Sequence, residues 1–131
     1  MKTDTHFVFG AFATLAVAGA LVTGLTMIGS PSEIRMRRLD EQRLDDLNRI
    51  SASVSEYWQG HGVPPQNLTE LQAPAPRLDL RLSDPVTGEG YEYMIKAGST
   101  YELCAVFESA SNETEFWSHD RGRKCFAFDA R

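Results

Sequence analysis

Residues 90–107 read GYEYMIKAGSTYELCAVF, and their alternation of apolar with polar or long side chains predicts a β-hairpin. The apolar positions of this hairpin are Tyr91, Tyr93, Ile95, Tyr101, Leu103, Ala105 and Phe107. Residues 97–99, Ala-Gly-Ser, supply the turn between its strands. Beyond a long polar loop, residues 125–128 read CFAF and predict a third short strand. The sequence therefore predicts a small antiparallel sheet of three strands within residues 90–129.

The chain has two cysteines, Cys104 in the second predicted strand and Cys125 in the third. Alternation places Cys104 on the face opposite to Leu103, and Cys125 on the face opposite to Phe126. If these strands are antiparallel neighbours, both sulfur atoms emerge on one face, close enough for a cross-strand disulfide. Such a disulfide implies an oxidising compartment. Two unpaired thiols in a cytosolic core are the alternative.

An amphipathic helix is predicted before the sheet, over about residues 31–59. The sequence Ser-Pro-Ser-Glu at 30–33 has the form of a capping box, with proline at the first helical position. The apolar stripe that follows consists of Met36, Leu39, Leu47, Ile50, Val54 and Tyr57. Arg43 interrupts this stripe. Two glycines and two prolines within residues 60–65 predict the end of the helix and a loop over 60–89.

Residues 7–28 read FVFGAFATLAVAGALVTGLTMI and contain no charged residue. At about 1.5 Å per residue this run spans roughly the 30 Å hydrocarbon core of a bilayer, which predicts a transmembrane helix after a short tail at 1–6. A signal peptide is the alternative, although its apolar region is usually shorter. Small residues recur every four positions, at Ala16, Ala20 and Gly24, and predict a face that packs on a partner helix.

Residues 29–131 form the predicted soluble domain, which carries nearly all of the formal net charge of −5. This acidic balance argues against nucleic acid as a partner. Four basic residues gather just after the apolar run and could contact lipid headgroups or lie solvated: Arg35, Arg37, Arg38 and Arg43. Their position favours a cytoplasmic domain, whereas a disulfide favours the periplasm, and we expect the periplasm.

Three strings in this domain resemble those of type IV pilins and type II secretion pseudopilins. Residues 40–50 resemble the pilin helix, and His-Gly-Val-Pro at 61–64 resembles the loop that follows it. Asp-Pro-Val-Thr-Gly-Glu-Gly-Tyr-Glu-Tyr at 84–93 resembles the entry to the pseudopilin sheet. The resemblance implies an α+β, pilin-like head in which the amphipathic helix packs on the sheet. The apolar run lacks the glutamate of pilins, so neither prepilin cleavage nor filament assembly is expected.

No catalytic motif appears, and the three histidines are scattered along the chain at His6, His61 and His119. We therefore expect no enzyme activity and no cofactor or metal. The leading interpretation is a single-span accessory subunit of a larger complex, respiratory or photosynthetic complexes included, in a bacterial inner membrane. Its partners would be integral membrane proteins, contacted through the transmembrane helix. A minor pseudopilin-like component of a secretion or pilus machine is the second interpretation. A free-standing membrane-anchored enzyme or ligand-binding protein is the third.

Overall fold

The computed structural model of the chain describes residues 3–27, 30–73, 80–111 and 116–131. Its elements are α1 (Thr3–Met27), α2 (Pro31–His61), a 3-10 helix (Leu68–Gln72), β1 (Glu92–Ala97), β2 (Thr100–Phe107) and β3 (Gly122–Asp129). The predicted α+β class with a three-stranded antiparallel sheet is confirmed. The chain forms two compact units, Met1–Ile34 and Arg35–Arg131. We call the second unit the head.

From residue 8 to residue 24, the helix α1 carries apolar side chains on all sides, with only Thr14 and Thr23 between them, and every side chain is exposed. Its exposed large side chains are Val8, Phe9, Phe12, Leu15, Val17, Leu21 and Val22. The hydroxyls of Thr14 and Thr23 donate to the carbonyl oxygens of Gly10 and Gly19, at 2.8 and 2.7 Å. These hydroxyls are therefore satisfied inside the helix. The helix begins at Thr3, within the predicted tail, of which residues 1 and 2 lie outside the described part.

In the parts of the chain that the structure describes, no helix combines the length and the apolar character needed to cross a membrane. The transmembrane assignment of residues 7–28 is not supported by this finding. Ile28, the last residue of that segment, lies outside the described residues.

The capping box predicted at the start of α2 is present. Ser30 Oγ accepts from the Glu33 amide at 3.3 Å, and the Ser30 amide donates to Glu33 Oε2 at 3.1 Å. The helix ends at His61, two residues beyond the predicted end. The amide of Gly62 donates to the Trp58 carbonyl at 2.7 Å, and Gly62 has a φ of +71°. A glycine in this left-handed conformation is a common C-terminal stop.

The sheet has the order β1-β2-β3, with antiparallel pairing throughout. Gly98, with a φ of +59°, closes the hairpin between β1 and β2 at the predicted turn. The strand β3 begins at Gly122, three residues before the predicted start, because Gly122 pairs with Phe107 at the far end of β2. The polar loop before it is correspondingly shorter, and residues 112–115 of that loop lie outside the described part.

The hydrophobic core lies between α2 and one face of the sheet. The α2 side chains Leu47, Ile50 and Val54 are fully buried. They belong to one cluster with sheet and loop residues, including Tyr91, Tyr101, Leu103, Phe107, Phe126, Leu68 and Leu71. Each fully buried aliphatic side chain contributes roughly 1.5–3 kcal/mol, so this face of α2 holds the helix on the sheet. Within the predicted loop, the 3-10 helix buries its leucines in the same core, and residues 74–79 lie outside the described residues.

Candidate functional site

Arg43, on α2, is buried, with only 2 % of its surface exposed. Its Nε donates to Asp84 Oδ2 at 2.5 Å, and its Nη1 donates to Asp40 Oδ1 at 2.7 Å. The second terminal nitrogen, Nη2, lies 3.5 Å from Glu108 Oε1. A buried charge requires partners of this kind, because its desolvation is otherwise expensive. We call Asp40, Arg43 and Asp84 the clamp.

A tight turn holds Asp84 in place. Its Oδ1 accepts hydrogen bonds from the backbone amides of Val86 and Thr87, at 2.8 and 3.0 Å. The Gly88 amide donates to the Asp84 carbonyl at 3.0 Å, and Gly88 has a φ of +72°. Aspartate favours such turns because its side chain bonds to the backbone two residues later, and glycine accepts the left-handed conformation. The turn thereby presents Oδ2 of Asp84 to Arg43.

Asp40 joins α2 to the segment that follows β2. Its Oδ1 accepts from the Glu108 amide at 3.0 Å, and its Oδ2 accepts from the amide and the hydroxyl of Ser109 at 2.8 and 2.6 Å. Together with Arg43, these donors leave neither carboxylate oxygen without a partner. The clamp therefore ties α2 both to the turn before the sheet and to the end of its central strand.

The hydrogen bonds of the clamp keep its groups charged. Burial acts to raise the pKa of Asp40, but the hydrogen bonds from Ser109, Glu108 and Arg43 outweigh it and hold that pKa below 3.8. Burial likewise acts to raise the pKa of Asp84, and the Arg43 guanidinium and two turn amides hold it low. Burial acts to lower the pKa of Arg43, but its two aspartate partners raise that pKa above the ordinary value. With its charges fixed and paired, the clamp offers no free base or acid for catalysis, and its chemistry is structural.

A second buried carboxylate, Asp46, is less well compensated. The Tyr91 hydroxyl donates to Asp46 Oδ2 at 2.9 Å, and Arg81 Nε lies 3.6 Å from its Oδ1. Burial raises the pKa of Asp46 above 3.8 in spite of these contacts. Burial, with the hydrogen bond to Asp46, raises the pKa of Tyr91 well above 10. Burial therefore disfavours the ionised form of Asp46.

A cleft of about 190 Å³ lies beside the clamp and is lined by Arg37, Asp40, Glu41, Leu44, Ser109, Ala110, Ser111 and His119. The ring of His119 stacks on Phe107 with centroids 3.8 Å apart, and only 5 % of the residue is exposed. Its Nδ1 is buried and has no hydrogen-bond partner among the described residues. The His119 amide donates to Ser111 Oγ at 3.0 Å. His119 therefore packs against Phe107, in a loop that the sequence alone showed only as polar.

The predicted disulfide between Cys104 and Cys125 is present. The two cysteines are directly opposed in the register of β2 and β3, as the alternation of the sequence required. On the same face, Arg123 binds Glu92 through two hydrogen bonds of 2.8 and 2.6 Å. The disulfide therefore links the two longest strands of the head on the face away from the core.

The predicted helix-packing residues Ala16, Ala20 and Gly24 lie on α1 and are exposed. They follow one another at intervals of four and so share a face. A Cβ atom added at Gly24 would meet nothing within 4 Å. Their association with a partner helix stays a prediction.

The four predicted basic residues do not form one group. Arg35, Arg37 and Arg38 are exposed, as lipid contact or solvation would require. Arg43 is not, and the prediction that it contacts headgroups or solvent is wrong. It is buried because Asp40, three residues earlier on the same helix face, and Asp84 provide the counter-charges for it.

Sequence reasoning missed Asp40, Asp84 and His119 as buried polar residues. One signal was present, since Asp40 precedes Arg43 by one helical turn and both fall next to an apolar stripe. For His119 the sequence carries no comparable signal.

Among the described residues, no group of three or more His, Cys, Asp or Glu side chains is arranged to hold a metal ion. No protein-family model, curated protein or solved structure matches the chain. The functional interpretation therefore rests on the residues themselves.

Proposed function

We propose that this protein is a non-enzymatic, single-span subunit of a bacterial inner-membrane complex, anchored by the apolar segment of residues 7–28, which overlaps α1. The observation that carries the proposal is the surface of α1, where apolar side chains are exposed on every side from residue 8 to residue 24. A helix that is apolar all round requires an apolar surrounding, either lipid or other helices.

The sequence extends this apolar surface beyond the residues whose side chains are described. Residues 7–28 contain no charged side chain, and at 1.5 Å per residue they reach roughly 33 Å. The internally bonded hydroxyls of Thr14 and Thr23 also suit a medium without water. Ala16, Ala20 and Gly24 would provide the close approach to a partner helix.

The head supports a role in anchoring and assembly rather than in catalysis. Among the described residues, its two most deeply buried ionic groups, Arg43 and Asp40, bind each other, and Asp84 and backbone amides are their further partners. The Cys104–Cys125 disulfide favours the periplasmic side, where disulfides form and persist. We therefore assign the head the role of covering a periplasmic face of the host complex.

The test is expression of the full chain in a bacterium, followed by carbonate extraction and purification in mild detergent. We expect the chain to stay in the carbonate-resistant membrane fraction and to co-purify in fixed ratio with an integral membrane complex. The control is the double variant Val17→Asp/Leu21→Asp, which places two charges in the apolar segment and should release the chain into the extract. Wild-type chain extracted as completely as this variant would contradict the proposal.

A pseudopilin-like component of a secretion or pilus machine is the second candidate. It is favoured by the order of elements in the head, a long helix, a loop with the Asp84–Gly88 turn, and then a three-stranded antiparallel sheet. The same purification separates the two candidates, because co-purification with secretion or pilus components would favour the second.

A further inference from the structure

The part of α2 that opens the head carries three exposed arginines, Arg35, Arg37 and Arg38. We call them the basic turn. None of them forms an ion pair with another described residue, since the ion pairs of the described residues use other cations. Those cations are Arg43, Arg49, Arg81, Lys96, Arg123 and Arg131. Unpaired cations thus concentrate within one turn of a chain whose net charge is −5.

Two carboxylates near the basic turn form hydrogen bonds with other groups. Glu33 binds the Ser30 amide in the capping box, at 3.1 Å. Asp40 is buried and held by Arg43, Glu108 and Ser109 in the clamp. Glu33 and Glu41 are the exposed carboxylates within a turn of these arginines, and Glu41 is the one that lies outside the capping box. The clamp therefore leaves this stretch of α2 with an excess of positive charge.

We infer that the basic turn binds the phosphate groups of anionic phospholipids, an inference that rests on the membrane anchoring proposed above. Arg35 lies seven positions after Ile28, which limits their separation to about 25 Å even for an extended chain. All three cations are arginines, whose planar forks bind two phosphate oxygens at once. Basic side chains next to a membrane span are attracted to anionic headgroups.

The experiment uses the purified full chain in nonionic detergent micelles that contain equal amounts of phosphatidylglycerol and phosphatidylcholine. Native mass spectrometry then counts the copies of each lipid that remain bound. For the wild type we expect a preference for phosphatidylglycerol on the order of a hundredfold, because each of the three arginines near the headgroups contributes roughly fivefold. The triple variant Arg35→Gln/Arg37→Gln/Arg38→Gln should bind the two lipids about equally.

Two further variants separate charge, geometry and position. The control Arg49→Gln/Arg121→Gln/Lys124→Gln removes the same charge from exposed positions elsewhere in the head and should keep the wild-type preference. The variant Arg35→Lys/Arg37→Lys/Arg38→Lys keeps the charge without the planar forks and should bind with an intermediate preference. Because the lysine variant changes the same three positions, a preference that it retains shows that the loss of preference in the glutamine variant does not come from misfolding.

Equal binding of the two lipids by the wild type would overturn the inference. So would a loss of the phosphatidylglycerol preference in the control variant as large as the loss in the glutamine variant. Both results leave the anchoring proposal intact. Failure of the wild type to float with vesicles of phosphatidylcholine alone would instead contradict the anchoring, and the inference would fall with it.

Discussion

Arg43 provides the sharpest test at the scale of single residues. Arg43→Met keeps much of the side-chain volume but leaves Asp40 and Asp84 as buried carboxylates without their cation. We expect the free energy of unfolding to fall by about 3–5 kcal/mol. The measurement is urea unfolding of the full chain in mild detergent, monitored by circular dichroism.

The matched control is Arg49→Met on the same helix. The pair between Arg49 and Asp45 is exposed, with 52 % and 61 % of the two side chains accessible. Exposed pairs contribute little, so this variant should lose less than about 1 kcal/mol. Similar losses in the two variants would show that the clamp is not a special stabilising group.

The raised pKa of Asp46 predicts that the stability of the head depends on pH. Because its folded pKa is raised, the stability that its protonated form contributes is complete below the unfolded pKa of 3.8 and is lost as the pH rises through the folded value. Asp46→Asn keeps an oxygen to accept from the Tyr91 hydroxyl but removes the charge. Relative to the wild type, this variant should gain stability as the pH rises from 3 to 7.

Unfolding curves at several pH values measure that gain, and Glu41→Gln, at an exposed position on the same helix, is the control. A difference between the Asp46 variant and the wild type that does not change with pH would contradict the pKa assignment. Asp40 and Asp84 act in the opposite direction, because their lowered pKa values stabilise the head above 3.8, and this contribution is lost as the pH falls through them.

Among the elements, the strands follow most directly from the sequence. Once β2 and β3 are taken as antiparallel neighbours, alternation places Cys104 and Cys125 on one face, because side chains in a strand have a period of two. The burial of Arg43 could not be obtained in this way. Its partner Asp84 is 41 residues away, and only the folded arrangement of a helix and a turn brings the two together. A charged residue beside an apolar stripe is otherwise expected to be solvated.

The disulfide between β2 and β3 predicts a measurable contribution to stability. Cys104 and Cys125 are 21 residues apart, and closing a loop of this size stabilises a fold by about 3 kcal/mol in the chain-entropy model. Cys104→Ala/Cys125→Ala should lower the free energy of unfolding by about that amount. Adding a reductant should lower it to a similar extent in the wild type and leave the variant unchanged. A wild type insensitive to a reductant that demonstrably frees both thiols would contradict this prediction.

At the scale of the whole molecule, the sequence patterns of α1 and of the head differ. The head is specified by alternation, a helical stripe and turn residues that agree with one another. The helix α1 has no internal pattern that would select a face, apart from its small residues. Under the anchoring proposed above, only these small residues indicate where a partner helix would bind, and they do not select a host complex.

The small residues of α1 can be tested in the intact protein. Ala16→Leu/Ala20→Leu fills the proposed contact face, and we expect it to reduce co-purification with the host complex several-fold without reducing membrane retention. Ala11→Leu/Ala18→Leu adds the same volume to the opposite side and should leave co-purification unchanged. Equal effects of the two double variants would mean that α1 has no specific contact face.

The clamp also bears on the kinetics of folding. Apart from the bond between Arg43 and Asp40, the hydrogen bonds by which the clamp joins α2 to other segments connect residues 41 to 69 positions apart, so they require the closure of long loops. We expect these bonds to form after the rate-limiting step, and Arg43→Met would then accelerate unfolding, roughly a hundredfold for each ~3 kcal/mol lost, with little change in the folding rate. The clamp would thus determine how long the head stays folded rather than how quickly it folds.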